Sequence, residues 1–223
     1  MKEGKDIMRT VAFVPIKLNS QRVKNKNILP LGGHPLCWHI FNSLLSVEGI
    51  DEVYCYCSDE AVKQYIPEDV IFLKRDPVLD GNLVKGFDIY ERFIRDVDAD
   101  VYALCHATSP FIRPGTIEKG IRAVKSEGYD SAFSAQRIQT FTWYQGSPLN
   151  YDINDVPRTQ DIEPVYVETS AFFIFKKEVF TEHHRRIGFH PMLCETDGIE
   201  TIDIDEPEDY EFAKIVAEGV FNK

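Results

Sequence analysis

Short apolar runs rich in β-branched and aromatic residues alternate along the chain with amphipathic segments. The first run, residues 10–16 (TVAFVPI), has the pattern of a strand buried on both faces of a parallel sheet. Residues 35–47 follow a polar loop, begin with proline and carry apolar side chains at helical spacing. This pattern predicts an amphipathic helix that packs against the first strand.

The same alternation continues through most of the chain. It predicts further strands at 52–57, 70–73, 100–106, 130–135, 165–175 and 201–205, and further helices at 59–65, 83–95, 115–126, after 175, and from Pro207 to about Glu218. Strands that alternate with helices predict a three-layer α/β/α sandwich with a mainly parallel sheet. Ligands bind such sheets at the carboxyl ends of the strands, so we expect functional loops after residues 16, 106 and 175 and around Asp203.

One segment interrupts this rhythm. Residues 137–166 hold several aromatic side chains among turn-forming residues (GSPLNYDINDVPR), which predicts an inserted hairpin or arm. The length of 223 residues fits a single domain, 1–223, that carries this insertion.

Composition narrows the possible function classes. Hydrophobic residues make up 43% and charged residues 27%, which is typical of a folded soluble protein. The net charge of −11 disfavours duplex nucleic acid and anionic membranes as partners. The charged start lacks the apolar core of a secretory signal, and no apolar run is long enough to span a membrane, so we expect a cytoplasmic protein. Five cysteines without a CxxC pair indicate reduced thiols.

Charge is unevenly distributed in the first fifth of the chain. No acidic residue occurs between Asp6 and Glu48, although this stretch holds five cations: Arg9, Lys17, Arg22, Lys24 and Lys26. A cationic pocket in an acidic protein indicates a small polyanion such as a triphosphate. The alternative is a solvated basic loop, since the glycines of a phosphate-binding loop or dinucleotide fingerprint are absent.

A pair of carboxylates lies near the other end of the chain. Asp203 and Asp205 flank Ile204, and residues two apart on a strand point to the same face. Two such carboxylates can share an octahedral Mg²⁺ that also takes triphosphate oxygens and water. The alternative is a pair of solvated loop acids. Glu208 and Asp209 follow Pro207 and suit the positive end of a helix dipole instead.

Both ends of the chain carry motifs of a known family. The run VPIKLNSQRVKNKNILPLGGHPLCWHI resembles the N-terminal signature of the sugar-nucleotide cytidylyltransferases, which include the acylneuraminate and 3-deoxy-manno-octulosonate cytidylyltransferases. The resemblance implies that this loop wraps a triphosphate, with Lys26, Arg22 and Lys17 as catalytic cations. Ser20 and Asn27 would hold the nucleotide. Lys17 stands where the signature has arginine.

Two further segments extend the resemblance. IDIDEPEDYEFA resembles the family's C-terminal signature, in which both acids bind the metal, so Asp203 and Asp205 are implied to hold Mg²⁺. HATSPFIR resembles the family's Q-P-T-S-P-L-R segment, which implies that His106, Thr108 and Ser109 contact the nucleotide.

The acceptor region is less closely matched. RTQDIEPVYVETSAFFIF resembles the segment that contacts the acceptor sugar in the sialic acid branch, and implies acceptor contacts from Arg158, Gln160, Glu168, Thr169 and Ser170. A guanidinium at Arg158 could bind a sugar carboxylate bidentately, and a surface or interface arginine is the alternative. Thr169 and Ser170 replace an Asn-Gly pair, as Leu18-Asn19 and Lys24 replace other signature residues.

The resemblance implies a Rossmann-like nucleotide-diphospho-sugar transferase fold and a reaction. CMP would pass from CTP to the hydroxyl of an acidic 2-keto-3-deoxy sugar, with Mg²⁺ present and pyrophosphate released. A homodimer formed through the arm is implied as well. The alternatives are a same-fold enzyme that uses another nucleoside triphosphate or a sugar phosphate, a glycosyltransferase, a nucleotide-binding protein without turnover, and an interaction module. The acidic sugar stays open among sialic, pseudaminic, legionaminic and octulosonic acids.

Overall fold

The computed structural model describes residues 8–20 and 22–221. Its strands are β1 (Thr10–Ile16), β2 (Pro30–Leu31), β3 (His34–Pro35), β4 (Glu52–Cys57), β5 (Ile71–Lys74), β6 (Val101–Cys105), β7 (Ser131–Ile138), β8 (Trp143–Tyr144), β9 (Ser147–Pro148), β10 (Val165–Lys176) and β11 (Pro191–Thr196). Seven of them form one sheet in the order β11-β7-β10-β6-β1-β4-β5. Within that sheet only β10 runs antiparallel to its neighbours, which confirms the predicted mainly parallel sheet.

Helices cover both faces of this sheet. They are α1 (Leu36–Leu45), α2 (Gly86–Asp96), α3 (Pro114–Ser126), α4 (Lys177–Thr181) and α5 (Pro207–Phe221). Apolar residues of α1 and α3 pack on one face, and those of α2 and α4 pack on the other. The predicted three-layer sandwich is therefore confirmed.

Strand β1 lies at the centre of the fold because its side chains are apolar on both faces. Ala12 and Val14 pack in the core beneath α1 and α3, whereas Val11 and Phe13 pack in the core beneath α2. All four are fully buried. The carboxyl end of β1 lies between those of β4 and β6, which is the point in the sheet where ligands are expected.

Two predicted elements differ in the structure. Residues 201–205 do not form a strand. A 3₁₀ turn over Gly198–Thr201 ends at the start of this segment. One hydrogen bond from the Ile204 amide to the Thr108 carbonyl (2.9 Å) takes the place of the series of bonds that pairs neighbouring strands. The seventh sheet strand is instead β11, which pairs parallel to β7 and was not predicted. The segment expected to be helical at 59–65 is a 3₁₀ helix, Glu60–Tyr65.

Residues between β7 and β10 form the segment predicted as an arm. The hairpin of β8 and β9 turns at Gln145 and Gly146, both with positive φ, as the tight turns of right-twisted hairpins require. The Asn150 side chain donates hydrogen bonds to the carbonyls of Thr140 and Glu163, each 2.9 Å long. These bonds tie the hairpin to the chain that leads back into β10.

The five cysteines are free and buried, which confirms the interpretation as reduced thiols, and burial raises the pKa of each. Within the described residues, no helix has both the length and the apolar character needed to cross a membrane.

Helix α3 approaches the sheet closely because Gly120 has no side chain. A Cβ atom at this position would lie 2.7 Å from Ile174 Cδ1 and 3.2 Å from the Cys194 sulfur. We expect Gly120→Val to lower the free energy of unfolding by about 1–3 kcal/mol, because the added atoms overpack this interface. Urea denaturation of the variant measures the change.

Gly115→Val on the same helix is the matched control, since nothing lies within 4 Å of a Cβ atom there. Equal loss of stability in both variants would contradict the close-approach explanation and point to helix propensity alone.

Candidate active site

The loop after β1 is held in shape by its own polar side chains. The Ser20 hydroxyl accepts a hydrogen bond from the Lys26 amide (2.8 Å), and the Asn27 side chain donates to the Lys17 carbonyl (2.9 Å). Asn25 adopts a left-handed conformation just before the 3₁₀ turn Lys26–Ile28. Ser20 and Asn27, which the family resemblance implies hold the nucleotide, therefore shape the loop.

Lys26 joins this loop to the distant carboxylate pair. Its side chain is only 10% exposed, and its ammonium group donates to the Ile204 carbonyl (2.5 Å) and to Asp205 Oδ1 (2.9 Å). The structure thus brings together residues 179 positions apart in the sequence.

Arg22 adds a second cation to the same carboxylate. Its guanidinium lies 3.1 Å from Asp205 and 2.8 Å from Glu206, on the exposed side of the loop. Asp209 accepts hydrogen bonds from the amides of residues 205 and 206 and so stabilises the start of α5. That contact agrees with the structural role predicted for Asp209.

The two aspartates lie in different electrostatic environments. Burial raises the pKa of Asp203, and the nearby charge of Asp205 raises it further. Burial also acts on Asp205, but the hydrogen bond and charge of Lys26, together with the charge of Arg22, outweigh it and hold the pKa of Asp205 below its ordinary value. Oδ1 of Asp203 is buried without a hydrogen-bond partner in the described part of the chain.

Two adjoining cavities meet at this point. One, of about 330 Å³, is lined by Lys17, Asn19, Ser20, Arg22, Val23, Lys26, Gly81, Asn82 and Val84. The other, of about 370 Å³, is lined by Pro15, Lys17, Lys26, Asn27, His106, Ala107, Thr108, Ser170, Asp203 and Asp205. Because Lys17 and Lys26 line both, a ligand in the first cavity and a ligand in the second would meet beside the same two ammonium groups.

The first cavity is bounded by a loop that the sequence patterns did not indicate. Arg75 follows β5 and is 2% exposed; its guanidinium donates to the Ile16 carbonyl (2.9 Å) and to Asp80 (2.6 Å). Lys17 donates to the Asp80 carbonyl. Residues 75–82 (RDPVLDGN) therefore pack against the end of β1. The signal in the sequence was an arginine and two aspartates at the carboxyl end of a predicted strand, which is the edge where ligands bind.

His106 and Thr108 lie in the second cavity, with the aspartates. The Nδ1 atom of His106 is 2.6 Å from the Ser170 carbonyl, which can only accept, so Nδ1 carries the proton. Burial lowers the pKa of His106, so the ring is neutral at neutral pH and its Nε2 is a hydrogen-bond acceptor. The Thr108 carbonyl accepts a hydrogen bond from the Ile204 amide, and the Thr108 side chain opposes the rise that burial causes in the pKa of Asp203. Ser109 is 1% exposed and lines neither cavity.

Strand β10 carries the residues expected to contact an acceptor. Its register shifts between Glu168 and Phe173, and Ser170 has a φ of 57° there, a conformation unusual for a residue with a side chain. This irregularity turns Ser170 into the second cavity. Glu168 and Thr169 precede it, and the Thr169 hydroxyl is buried without a partner among the described residues.

Arg158 and Gln160 lie farther along, at the base of the arm. The Arg158 side chain is 73% exposed and binds Asp161 at 2.7 Å, and the Gln160 carbonyl accepts a hydrogen bond from Gln139. Neither is among the residues that line the two cavities. Their acceptor role stays a prediction.

Known proteins match the chain in both sequence and fold. The N-acylneuraminate cytidylyltransferase of Oncorhynchus mykiss is 24% identical over 220 residues, which cover 93% of this chain and 51% of that protein. The 3-deoxy-manno-octulosonate cytidylyltransferase of Escherichia coli is 24% identical over 119 residues, covering 53% of this chain and 47% of that protein. The chain thus spans about half the length of these curated relatives.

A solved structure shares the fold. A CMP:2-keto-3-deoxy-manno-octonic acid synthetase in complex with CTP superposes with a TM-score of 0.71 at 17% identity, covering 95% of this chain and 99% of that one. The model of one sequence family, described as cytidylyltransferase, matches residues 11–220, which include both site loops and the aspartate pair. The chain therefore belongs to the cytidylyltransferase family.

Proposed function

We propose that this protein transfers CMP from CTP to a hydroxyl of an acidic 2-keto-3-deoxy sugar. The hydroxyl oxygen bonds to the α-phosphorus and loses its proton to water, the bond from that phosphorus to the bridging oxygen breaks, and pyrophosphate leaves. The contact of Lys26 with Asp205, where the two cavities join, carries the proposal. It puts a buried cation beside a carboxylate pair at a point that two ligands can share.

The first cavity suits the triphosphate. Lys17, Arg22 and Lys26 offer three cations there, within a protein of net charge −11. Phosphoryl transfer depends on positioning and on charge stabilisation more than on covalent chemistry, and fixed cations provide both. Family membership supplies the choice of CTP.

The second cavity suits the acceptor. Neutral His106 offers Nε2 as a hydrogen-bond acceptor, which a sugar hydroxyl can occupy. In this proposal His106 and Thr108 face the acceptor rather than the nucleotide. Lys17 and Lys26 then flank the phosphorus from which pyrophosphate leaves.

Asp203 and Asp205 fit a divalent cation. Asp203 has a buried oxygen without a partner, and the described residues include no cluster of three or more His, Cys, Asp or Glu side chains that would hold a metal alone. Two carboxylates that leave room for phosphate oxygens and water match the preference of Mg²⁺. When bound, Mg²⁺ would neutralise charge on the phosphate oxygens.

The segment between β7 and β10 is proposed as a dimerisation arm. It exposes Trp143 (55%), Leu149 (55%), Ile153 (55%) and Val156 (58%), and the adjacent β10 residue Val167 is 46% exposed. A cluster of exposed apolar side chains on one inserted segment is typical of an interface. A second copy of the chain is the partner we propose.

The substrate assignment is tested by measuring pyrophosphate release with each of the four nucleoside triphosphates. Each is combined with N-acylneuraminate, 3-deoxy-manno-octulosonate and a neutral sugar. We expect CTP with an acidic sugar to exceed every other pair by at least about 100-fold, since a site built to hydrogen-bond one base rejects the others.

Preference for another triphosphate would replace CTP in the proposal. Hydrolysis of a ready-made CMP-sugar without pyrophosphate release from CTP would instead indicate a glycosyltransferase.

Lys26→Met tests the shared cation. We expect turnover to fall by about 100-fold or more, because the variant keeps the volume of the side chain and removes the charge at the reacting phosphate. Steady-state kinetics with CTP and the preferred acceptor measure the loss. Lys24→Met, at an exposed neighbouring position, is the matched control and should stay within about threefold of wild type. Near-normal turnover of Lys26→Met would remove Lys26 from the mechanism.

Asp203→Asn tests the metal site. We expect the apparent affinity for Mg²⁺ to fall at least about tenfold, because an amide is a weaker ligand than a carboxylate. Calorimetry of CTP binding with and without Mg²⁺ gives a readout that does not depend on turnover. Glu208→Gln, an exposed acid of α5, is the control. Unchanged Mg²⁺ dependence in Asp203→Asn would contradict the assignment.

A further inference from the structure

Arg186 lies on the loop after α4 and stacks on a residue of β10. Its guanidinium carbon lies 3.7 Å from the centre of the Phe173 ring, and its side chain is 28% exposed. Phe173 in turn contacts the His106 ring edge-on, with a centroid separation of 6.1 Å. Arg186 therefore lies beside the wall of the cavity that His106 and Ser170 form.

The charge of Arg186 acts on His106, which forms part of that wall. Burial lowers the pKa of His106, and the positive charge of Arg186 lowers it further. Its nearest carboxylate is Glu168, with the two charged groups 3.6 Å apart, which is longer than a charge-assisted hydrogen bond. Burial raises the pKa of Tyr90, and the charge of Arg186 opposes that rise.

The carboxylate of an acidic acceptor in this cavity needs a cation beside it that can still bind a further anion. Asp203, Asp205 and Glu168 all lie in or beside it and repel a sugar carboxylate. Lys26 is already bound to Asp205 at 2.9 Å, and Lys17 to the Asp80 carbonyl. Arg158 is 73% exposed and bound to Asp161. Neither Arg158 nor Arg186 is among the residues that line the cavity, but of the two it is Arg186 that stacks on a ring in contact with His106.

We propose that Arg186 binds the carboxylate of the acceptor sugar. Its stacking on Phe173 fixes the plane of the guanidinium and leaves the N–H donors in that plane, where a carboxylate can be bound bidentately. Glu168, on the neighbouring strand, keeps the side chain in position until the acceptor arrives. This inference rests on the proposed transfer of CMP to an acidic sugar, and it names the residue that selects the acid.

Kinetics of Arg186→Met with the acceptor that the wild-type protein uses best provide the test. We expect KM for the acidic sugar to rise about 10- to 100-fold, the range for losing hydrogen bonds to a charged group, while KM for CTP stays within about twofold. Arg185→Met is the matched control, because Arg185 is exposed and its guanidinium lies over the surface residue Phe189. It should change neither constant.

The carboxamide analogue of the same sugar separates charge recognition from packing. As a competitive inhibitor it should bind the wild-type protein at least tenfold more weakly than the acid is bound, and Arg186→Met should lose that preference. Arg186→Lys keeps the charge without the fork and should give an intermediate acceptor KM. If Arg186→Met misfolds and therefore also raises the KM for CTP, Arg186→Lys provides the test instead.

The outcomes are distinct. Turnover with an unchanged acceptor KM in Arg186→Met, or an effect confined to Arg158→Met, overturns the role of Arg186 and leaves the proposed function standing. No turnover of any acidic sugar by the wild-type protein overturns both.

Discussion

The site depends on the hydrogen bonds that the buried ammonium group of Lys26 donates. A charged side chain with a tenth of its surface exposed is costly unless its donors are satisfied, and the Ile204 carbonyl and the Asp205 carboxylate satisfy two of them. Both acceptors come from the far end of the chain. The loop after β1 and the segment before α5 are therefore fixed to each other, and the aspartates keep their place even though no strand holds them.

Much of the fold follows from local patterns, and the exceptions have physical reasons. The alternation of apolar strands and amphipathic helices predicts the sheet because each pattern is set by burial on one or two faces. Strand β11 lies at an edge, where half-exposed residues such as Leu193 weaken the apolar signal. For 201–205 the element was wrong, but the side-chain argument survived, since any extended segment with a buried central residue such as Ile204 sends its neighbours to the same side.

The candidate site was predictable only in part, because local sequence patterns do not show which distant elements will come into contact. Lys26, Asp203 and Asp205 belong to motifs with recognisable spacing, whereas Arg75 and Arg186 gain their positions from contacts between distant elements. An isolated arginine in a sequence does not reveal whether it will be buried against a carbonyl or stacked on a ring. Ser20 is different, because its position in a motif predicted a role that its contacts do not show directly. The motif indicated nucleotide binding, whereas in the structure the Ser20 hydroxyl accepts a hydrogen bond from the Lys26 amide.

The pKa values of the two aspartates are shifted in opposite directions. Asp205 is kept ionised by Lys26 and Arg22, while Asp203 has a raised pKa and an oxygen without a partner. A buried carboxylate oxygen that lacks a partner lowers stability, and natural proteins retain such costs where function requires them. A divalent cation would satisfy that oxygen and remove the repulsion between the two aspartates. The proposed metal would therefore recover the stability that the unpartnered oxygen of Asp203 costs.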